Sequence, residues 1–129
     1  MKGSRKYDGF LPGAVAIEAY GAGGFRFAGL SHRGSILALP SGVHAWAPAD
    51  PGQIDQASLA PLFAEPPGAV ELLLVGAGAT LTPISKSLRE ALNRASVRVE
   101  VMSTGAALST YNVLLEEGRR VAAALLATE

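Results

Sequence analysis

Two glycine-punctuated segments carry residue types and spacings that could do chemistry. The first is Gly76-Ala77-Gly78, directly after the apolar run Leu72-Leu73-Leu74-Val75. The second is Ser103-Thr104-Gly105-Ala106-Ala107, followed by Ser109-Thr110-Tyr111-Asn112. Each sits where a strand pattern hands over to a helix pattern. If the two strands are parallel, both helix N-termini open on one edge of the sheet. They offer free N–H groups and positive dipole ends there. Open α/β sheets bind ligands at that edge. Gly76–Gly78 and Thr104–Gly105 therefore frame a candidate site for a small ligand or an anion. A plainer reading competes with it: Ser103, Thr104, Ser109 and Thr110 cap a helix, Asn112 braces a loop, and the glycines turn the chain tightly.

Other chemistries find less support. Strand, Gly76-Ala77-Gly78, helix and a second strand holding Glu100 look like the opening of a dinucleotide fold. A full fingerprint has Gly where this chain has Leu81, and Glu100 falls inside its strand rather than at the end. The tight-turn reading is the stronger one. His32 and His44 are the only histidines, both in the β-rich part. No HExxH spacing is present for a metal, and Ser85-Lys86 lacks the SxxK spacing of Ser-Lys enzymes. Without cysteine there is no disulfide, thiolate metal site or Cys nucleophile. The sequence thus nominates no catalytic residue, no metal ligand and no cofactor. Trp46 reads as a core residue or a contact anchor. Glu116-Glu117 and Arg119-Arg120 read as a solvated helix face with i,i+3 or i,i+4 pairs.

The elements that must position these residues follow from hydrophobic periodicity. Ala14–Tyr20, Phe25–Leu30, Ser35–Leu39 and Val43–Trp46 read as strands of a hairpin or meander, with Ser31–Gly34 as a turn. Asp55–Phe63 is expected to hold a short helix capped by Asp55 or Ser58. Val70–Val75 suits a strand buried on both faces. Thr82-Pro83 reads as an N-cap with Pro at the first helical position, opening a helix with Ile84, Leu88, Ala91, Leu92 and Ala95 on one face. Val97–Met102 is the next strand, and a last helix is expected from Ala106 to Leu126. Gly118 inside that helix costs ~1 kcal/mol relative to Ala and implies close packing there. The fold class is α/β. A single compact domain spans residues 1–129, its ordered core from about 7 to 126. An N-terminal antiparallel β layer precedes a β-α-β-α unit, giving a mixed central sheet flanked by helices.

Composition bounds the partners. The chain has 129 residues, 49% hydrophobic and 17% charged, which fits one folded domain with a real core. Its 11 basic and 11 acidic residues cancel. A nucleic-acid binder needs a basic excess, so nucleic acid is not an expected partner. Near-zero charge offers little resistance to self-association, so a homo-oligomer stays open. No stretch approaches the ~20 apolar residues that span a membrane, so direct insertion is not expected and the protein reads as cytoplasmic.

The order of the pieces resembles a known family. These are Tyr20-Gly21-Ala22-Gly23-Gly24-Phe25-Arg26-Phe27, Gly34-Ser35-Ile36-Leu37, Trp46, Leu73-Leu74-Val75-Gly76-Ala77-Gly78, Ser103-Thr104-Gly105-Ala106-Ala107 and Thr110-Tyr111-Asn112. Together they are similar to the family of mitochondrial complex I (NADH dehydrogenase) assembly factor 3 and its bacterial and archaeal single-domain relatives. The resemblance implies a compact α/β domain with a mixed sheet and an added β layer, no established catalysis and no known cofactor. It implies a non-enzymatic interaction protein whose partners are respiratory complex subunits or assembly proteins. Gly76, Gly78, Thr104, Gly105, Tyr111 and Asn112 match its motifs and complete the candidate cleft. The alternatives are a small-ligand or anion-binding domain, or an enzyme using Tyr111, Ser109 or Thr104 in that cleft.

Overall fold

A computed structural model describes residues 8–79 and 82–129. Among the described residues, the strands form a large six-stranded sheet and a separate small three-stranded sheet. The strands of the large sheet are β1 (Phe10–Pro12), β5 (Ser35–Leu39), β6 (Gly42–Trp46), β7 (Leu72–Gly76), β8 (Arg98–Met102) and β9 (Val121–Leu125). Those of the small sheet are β2 (Ile17–Gly21), β3 (Gly24–Phe27) and β4 (Leu30–Arg33). Among the described residues there are three α-helices: α1 (Ala60–Phe63), α2 (Lys86–Arg94) and α3 (Thr104–Glu116). The large sheet runs β1-β6-β5-β9-β7-β8 and is mixed, and the small sheet runs β2-β3-β4. β7 runs parallel to both β8 and β9, whereas β5 runs antiparallel to β6 and β9. The expected class, an antiparallel β portion joined to a mixed sheet flanked by helices, is the one observed.

The core divides by strand alternation. Leu37, Leu39, Leu73, Val75, Ala122 and Ala124 face one side, with Leu59, Leu62, Leu88 and Leu92 from α1, α2 and the segment before α1. Ile36, Ala38, Leu74, Ala123 and Leu125 face the other, with Ala107, Leu108 and Tyr111 of α3 and Ile17, Phe25 and Phe27 of the small sheet. Residues one apart in a strand point to opposite faces, so one apolar run serves two cores. Trp46 belongs to the first core, and its Nε1 donates to the Ser58 carbonyl at 2.8 Å.

Several elements differ from expectation. The last helix ends at Glu116 rather than Leu126. The Gly118 N–H donates to the Leu115 carbonyl and the Arg119 N–H to the Leu114 carbonyl, a Schellman closure with Gly118 at φ +77°. Gly118 is therefore a helix terminator, not a packing contact; a Cβ there would meet nothing within 4 Å. The apolar run beyond it becomes β9, fully buried between β5 and β7. Arg119 and Arg120 then pair with Glu71, at 3.6 and 3.7 Å, and not with Glu116 or Glu117.

Ser31–Arg33 is strand, not turn. The turn is Ala28-Gly29, with φ of 52° and 74°, joining paired Phe27 and Leu30. Ala22-Gly23 does the same between Gly21 and Gly24. Positive φ at both central residues matches the right-handed twist of a hairpin. The Asp55–Phe63 helix shrinks to 3₁₀ turns and the four residues of α1. Neither piece has a side-chain cap, its N-cap positions being Gln56 and Leu59; Asp55 and Ser58 instead bond each other, the Ser58 N–H donating to Asp55 Oδ1 and the Asp55 N–H to Ser58 Oγ. Ser85, not Thr82, caps α2, accepting the Leu88 N–H at 3.2 Å. Leu81 lies outside the described residues.

Candidate functional site

The C-terminal ends of β7 and β8 do lie side by side, Gly76 opposite Met102. The two glycine segments meet there through backbone contacts. The Ala77 N–H donates to the Met102 carbonyl at 2.8 Å, and the Thr104 N–H donates to the Gly78 carbonyl at 3.1 Å. Thr104 is the centre of the junction and is 1% exposed. Its Oγ1 accepts the Gly78 N–H at 3.0 Å and donates to the Leu126 carbonyl at 2.8 Å. The Leu126 N–H donates to the Gly76 carbonyl at 2.9 Å. One hydroxyl thus ties the end of β7, the start of α3 and the chain leaving β9.

An open cleft of about 540 Å³ lies over this junction, lined in part by Tyr20, Gly78, Thr104, Gly105, Thr128 and Glu129. Ser103 caps α3 by accepting the Ala106 N–H at 3.4 Å, a long contact. Of the first-turn amides, Thr104 donates to Gly78 and Ala107 to the Ser103 carbonyl. The Gly105 N–H has no partner among the described residues. The cleft therefore presents a backbone donor at the positive end of a helix. Its Thr104 hydroxyl, by contrast, is engaged on both sides.

The structure brings Gly78, Thr104 and Gly105 together at this cleft. Gly76 sits behind it, where the fold leaves no room for a side chain. A Cβ at Gly76 would lie 2.9 Å from the Thr104 Cα and 2.9 Å from Leu125 Cδ2. At Gly105 the obstruction is the exposed Tyr20, whose ring end would lie under 3 Å away. The consequences differ. Gly76→Ala must push helix backbone and is expected to cost about 1–3 kcal/mol in denaturant unfolding. Gly105→Ala only displaces a flexible side chain and gains helix propensity, so its unfolding midpoint should move by no more than about 1 kcal/mol in either direction. Sequence reasoning passed over Tyr20 as a cleft residue, because only tertiary packing brings β2 to α3.

Tyr111 and Asn112 lie elsewhere. Asn112 is a backbone clamp: its Oδ1 accepts the Ile17 N–H at 2.9 Å and its Nδ2 donates to the Ile17 carbonyl at 2.8 Å. It docks the small sheet on α3. Tyr111 is fully buried in the second core, and its hydroxyl has no hydrogen-bond partner among the described residues. Burial pushes its pKa from 10.0 up to about 12. An orphaned buried hydroxyl is a net cost. Tyr111→Phe is therefore expected to stabilise the fold by about 1 kcal/mol at neutral pH. The folded state holds a proton that the unfolded chain releases above pH 10, so wild-type stability falls as pH rises from 10.0 to about 12. Tyr111→Phe removes that residue's share of the fall, which paired urea titrations across the window would measure.

Neither histidine is seen paired with a serine hydroxyl among the contacts of the described residues. His32 Nε2 lies 3.1 Å from the Ser35 carbonyl, and the His44 ring packs on Phe10 with centroids 4.5 Å apart. Among the described residues, no group of three or more His, Cys, Asp or Glu could hold a metal ion.

The comparisons with known proteins fit this architecture. Residues 17–126 match the family described as "Protein of unknown function (DUF498/DUF598)". The chain belongs to that family. It is 45% identical over 114 residues to an uncharacterised protein of Rhodobacter capsulatus, covering 88% of this chain and 86% of that one. It is 30% identical over 116 residues to NADH dehydrogenase [ubiquinone] 1 alpha subcomplex assembly factor 3 of Mus musculus. That match covers 90% of this chain and 62% of the mouse protein, so the chain spans less than two thirds of that relative's length. A crystal structure described as an outer membrane protein from Bartonella henselae superimposes with a TM-score of 0.87 at 44% identity, covering 92% of this chain and 98% of that one. Among the described residues, no helix is long and apolar enough to cross a membrane.

Proposed function

We propose that this chain is a non-enzymatic interaction protein that assists assembly of a respiratory or other membrane complex. It acts from the cytoplasm by contact with complex subunits or their assembly proteins. The likeness to the mouse assembly factor carries this reading, because it runs through 90% of the chain rather than through one motif. The cleft chemistry agrees with it. The Thr104 hydroxyl at the cleft is engaged by backbone groups on both sides, and the Asn112 amide, away from the cleft, serves the backbone of Ile17. The test is affinity co-purification of the tagged chain from its own host after gentle membrane solubilisation. Recovery of respiratory complex subunits or assembly proteins supports the proposal, and recovery of the chain alone overturns it.

The free Gly105 N–H favours a second reading, a small ligand held in the cleft at Gly78, Thr104 and Gly105. Native mass spectrometry of gently purified protein would then show an added mass that Gly105→Leu abolishes. An empty wild-type protein removes this reading.

A further inference from the structure

The two edges of the large sheet are built differently. β1 is three residues long and contains Pro12, features that discourage pairing with another chain. β8 is the opposite edge. It is five residues long, Arg-Val-Glu-Val-Met, with no proline, no glycine and an unshifted register against β7. Its hydrogen-bond phase is fixed by its parallel partner. The Arg98 N–H donates to the Glu71 carbonyl, and the Met102 carbonyl accepts the Ala77 N–H. Arg98, Glu100 and Met102 therefore turn their backbone groups toward β7, and Val99 and Val101 turn theirs outward. Neither valine has another backbone partner among the described residues.

We propose that β8 is a homodimer interface, pairing antiparallel with β8 of a second copy about a two-fold axis at Val99. Three observations select a second copy as the occupant. The first is phase. Val99 facing its own counterpart makes a hydrogen-bonded pair, exchanging both N–H···O bonds; Val101 lands opposite Val97, whose N–H is held by the Leu92 carbonyl at 2.9 Å, so that pair keeps only the bond from the Val101 N–H to the Val97 carbonyl. The second is charge. That register puts Arg98 opposite Glu100 of the second copy, and Glu100 opposite its Arg98, in the pair type where side chains approach most closely. Both side chains are exposed in the single chain, at 78% and 51%, and pair with each other at 3.8 Å. The third is the apolar row. Val97, Val99 and Val101 are only half-buried, at the border of the first core. Val97 and Val99 line a groove of about 520 Å³ shared with Lys86, Arg89, Glu90 and Asn93 of α2. A second row of the same valines would extend that core across the axis. A zero net charge opposes none of this. The result is a continuous sheet through two copies, and the proposal stands independently of the assembly role.

Sedimentation velocity of the full chain over a wide concentration range is the test. The wild type should dimerise, and the Val99 and Val101 amides should exchange more slowly as concentration rises. Glu100→Arg puts like charges in both cross-strand pairs and should weaken dimerisation by at least about tenfold. Arg98→Glu combined with Glu100→Arg keeps the pairing complementary and should restore the dimer. Val99→Pro removes the central outward N–H and should leave a monomer. A wild type that stays monomeric throughout overturns the proposal. So does a dimer indifferent to both Glu100→Arg and Val99→Pro, or a failure of the double charge exchange to rescue.

Discussion

Replacing Thr104 by Val is expected to cost about 2–4 kcal/mol of stability, because it orphans two backbone groups at once. Valine keeps the shape and loses the hydroxyl. The Gly78 N–H and the Leu126 carbonyl, at 3.0 and 2.8 Å from Oγ1, would lose that partner at a site 1% exposed. A net hydrogen bond contributes about 1 kcal/mol, but an unsatisfied buried group costs about 1–3 kcal/mol. The second term therefore decides the outcome. For a domain of this size the thermal midpoint should fall by roughly 10 °C. Thr104→Ser is the control: it retains both bonds, loses one methyl, and should cost about 1 kcal/mol. Equal losses in the two variants would show that packing, not the hydroxyl, holds the junction. The prediction also bears on function. If Thr104 only ties the fold, Thr104→Ser should leave partner recovery unchanged in the co-purification.

The parts of this architecture that were legible from sequence are those where local pattern and tertiary demand agree. β7 announces itself as an unbroken apolar run, and burial on both faces is what such a run requires. α2 shows a polar face and an apolar face, and Leu88, Ala91 and Leu92 are indeed buried. β9 reads as helix from sequence because Val-Ala-Ala-Ala-Leu is rich in the strong helix formers Ala and Leu. A strand there satisfies the sheet, since β9 fills the slot between β5 and β7, and Ala123 shares the core on the α3 side. Two local signals pointed the right way: Gly118 as a helix stop, and six consecutive buried residues from Val121 to Leu126 with no polar outer face. In the hairpins the turn positions fell on Ala28 and Ala22, residues that rarely take positive φ. Polar Ser31-His32-Arg33 drew the turn assignment instead. At the site, the sequence places Gly78 and Thr104 on one edge only if their strands are parallel neighbours, a condition that the β7–β8 pairing supplies and the sequence does not. The role of Asn112 was not, since its partner Ile17 is 95 positions away.

Asn112→Leu is expected to cost about 2–4 kcal/mol and to loosen the small sheet selectively. The amide of Asn112 satisfies both backbone groups of Ile17, a residue with no exposed surface. β2 enters the small sheet with a register shift between Ile17 and Ala19, so its own ladder is interrupted at this point. The side chain of α3 takes over where the strand pairing is weakest. Leucine fills a similar volume and supplies neither donor nor acceptor, so Ile17 would be left with two orphaned groups. Hydrogen exchange should show the loss at the amides of Ile17 and β3 before those of β7 and β9, which the large sheet protects. Asn112→Asp separates the two bonds. A carboxylate can still accept the Ile17 N–H but sets a second oxygen against the Ile17 carbonyl, whereas the protonated acid can donate to it. Its folded-state pKa should therefore lie above the usual carboxylate value. The sign follows: the stability this group contributes is present below the unfolded pKa of about 3.9 and is lost as pH rises through the higher folded value. Wild type should show no such step from this position, and its appearance only in Asn112→Asp would assign the clamp to the amide. Uniform exchange changes across both sheets in Asn112→Leu would show instead that the two sheets unfold as one unit.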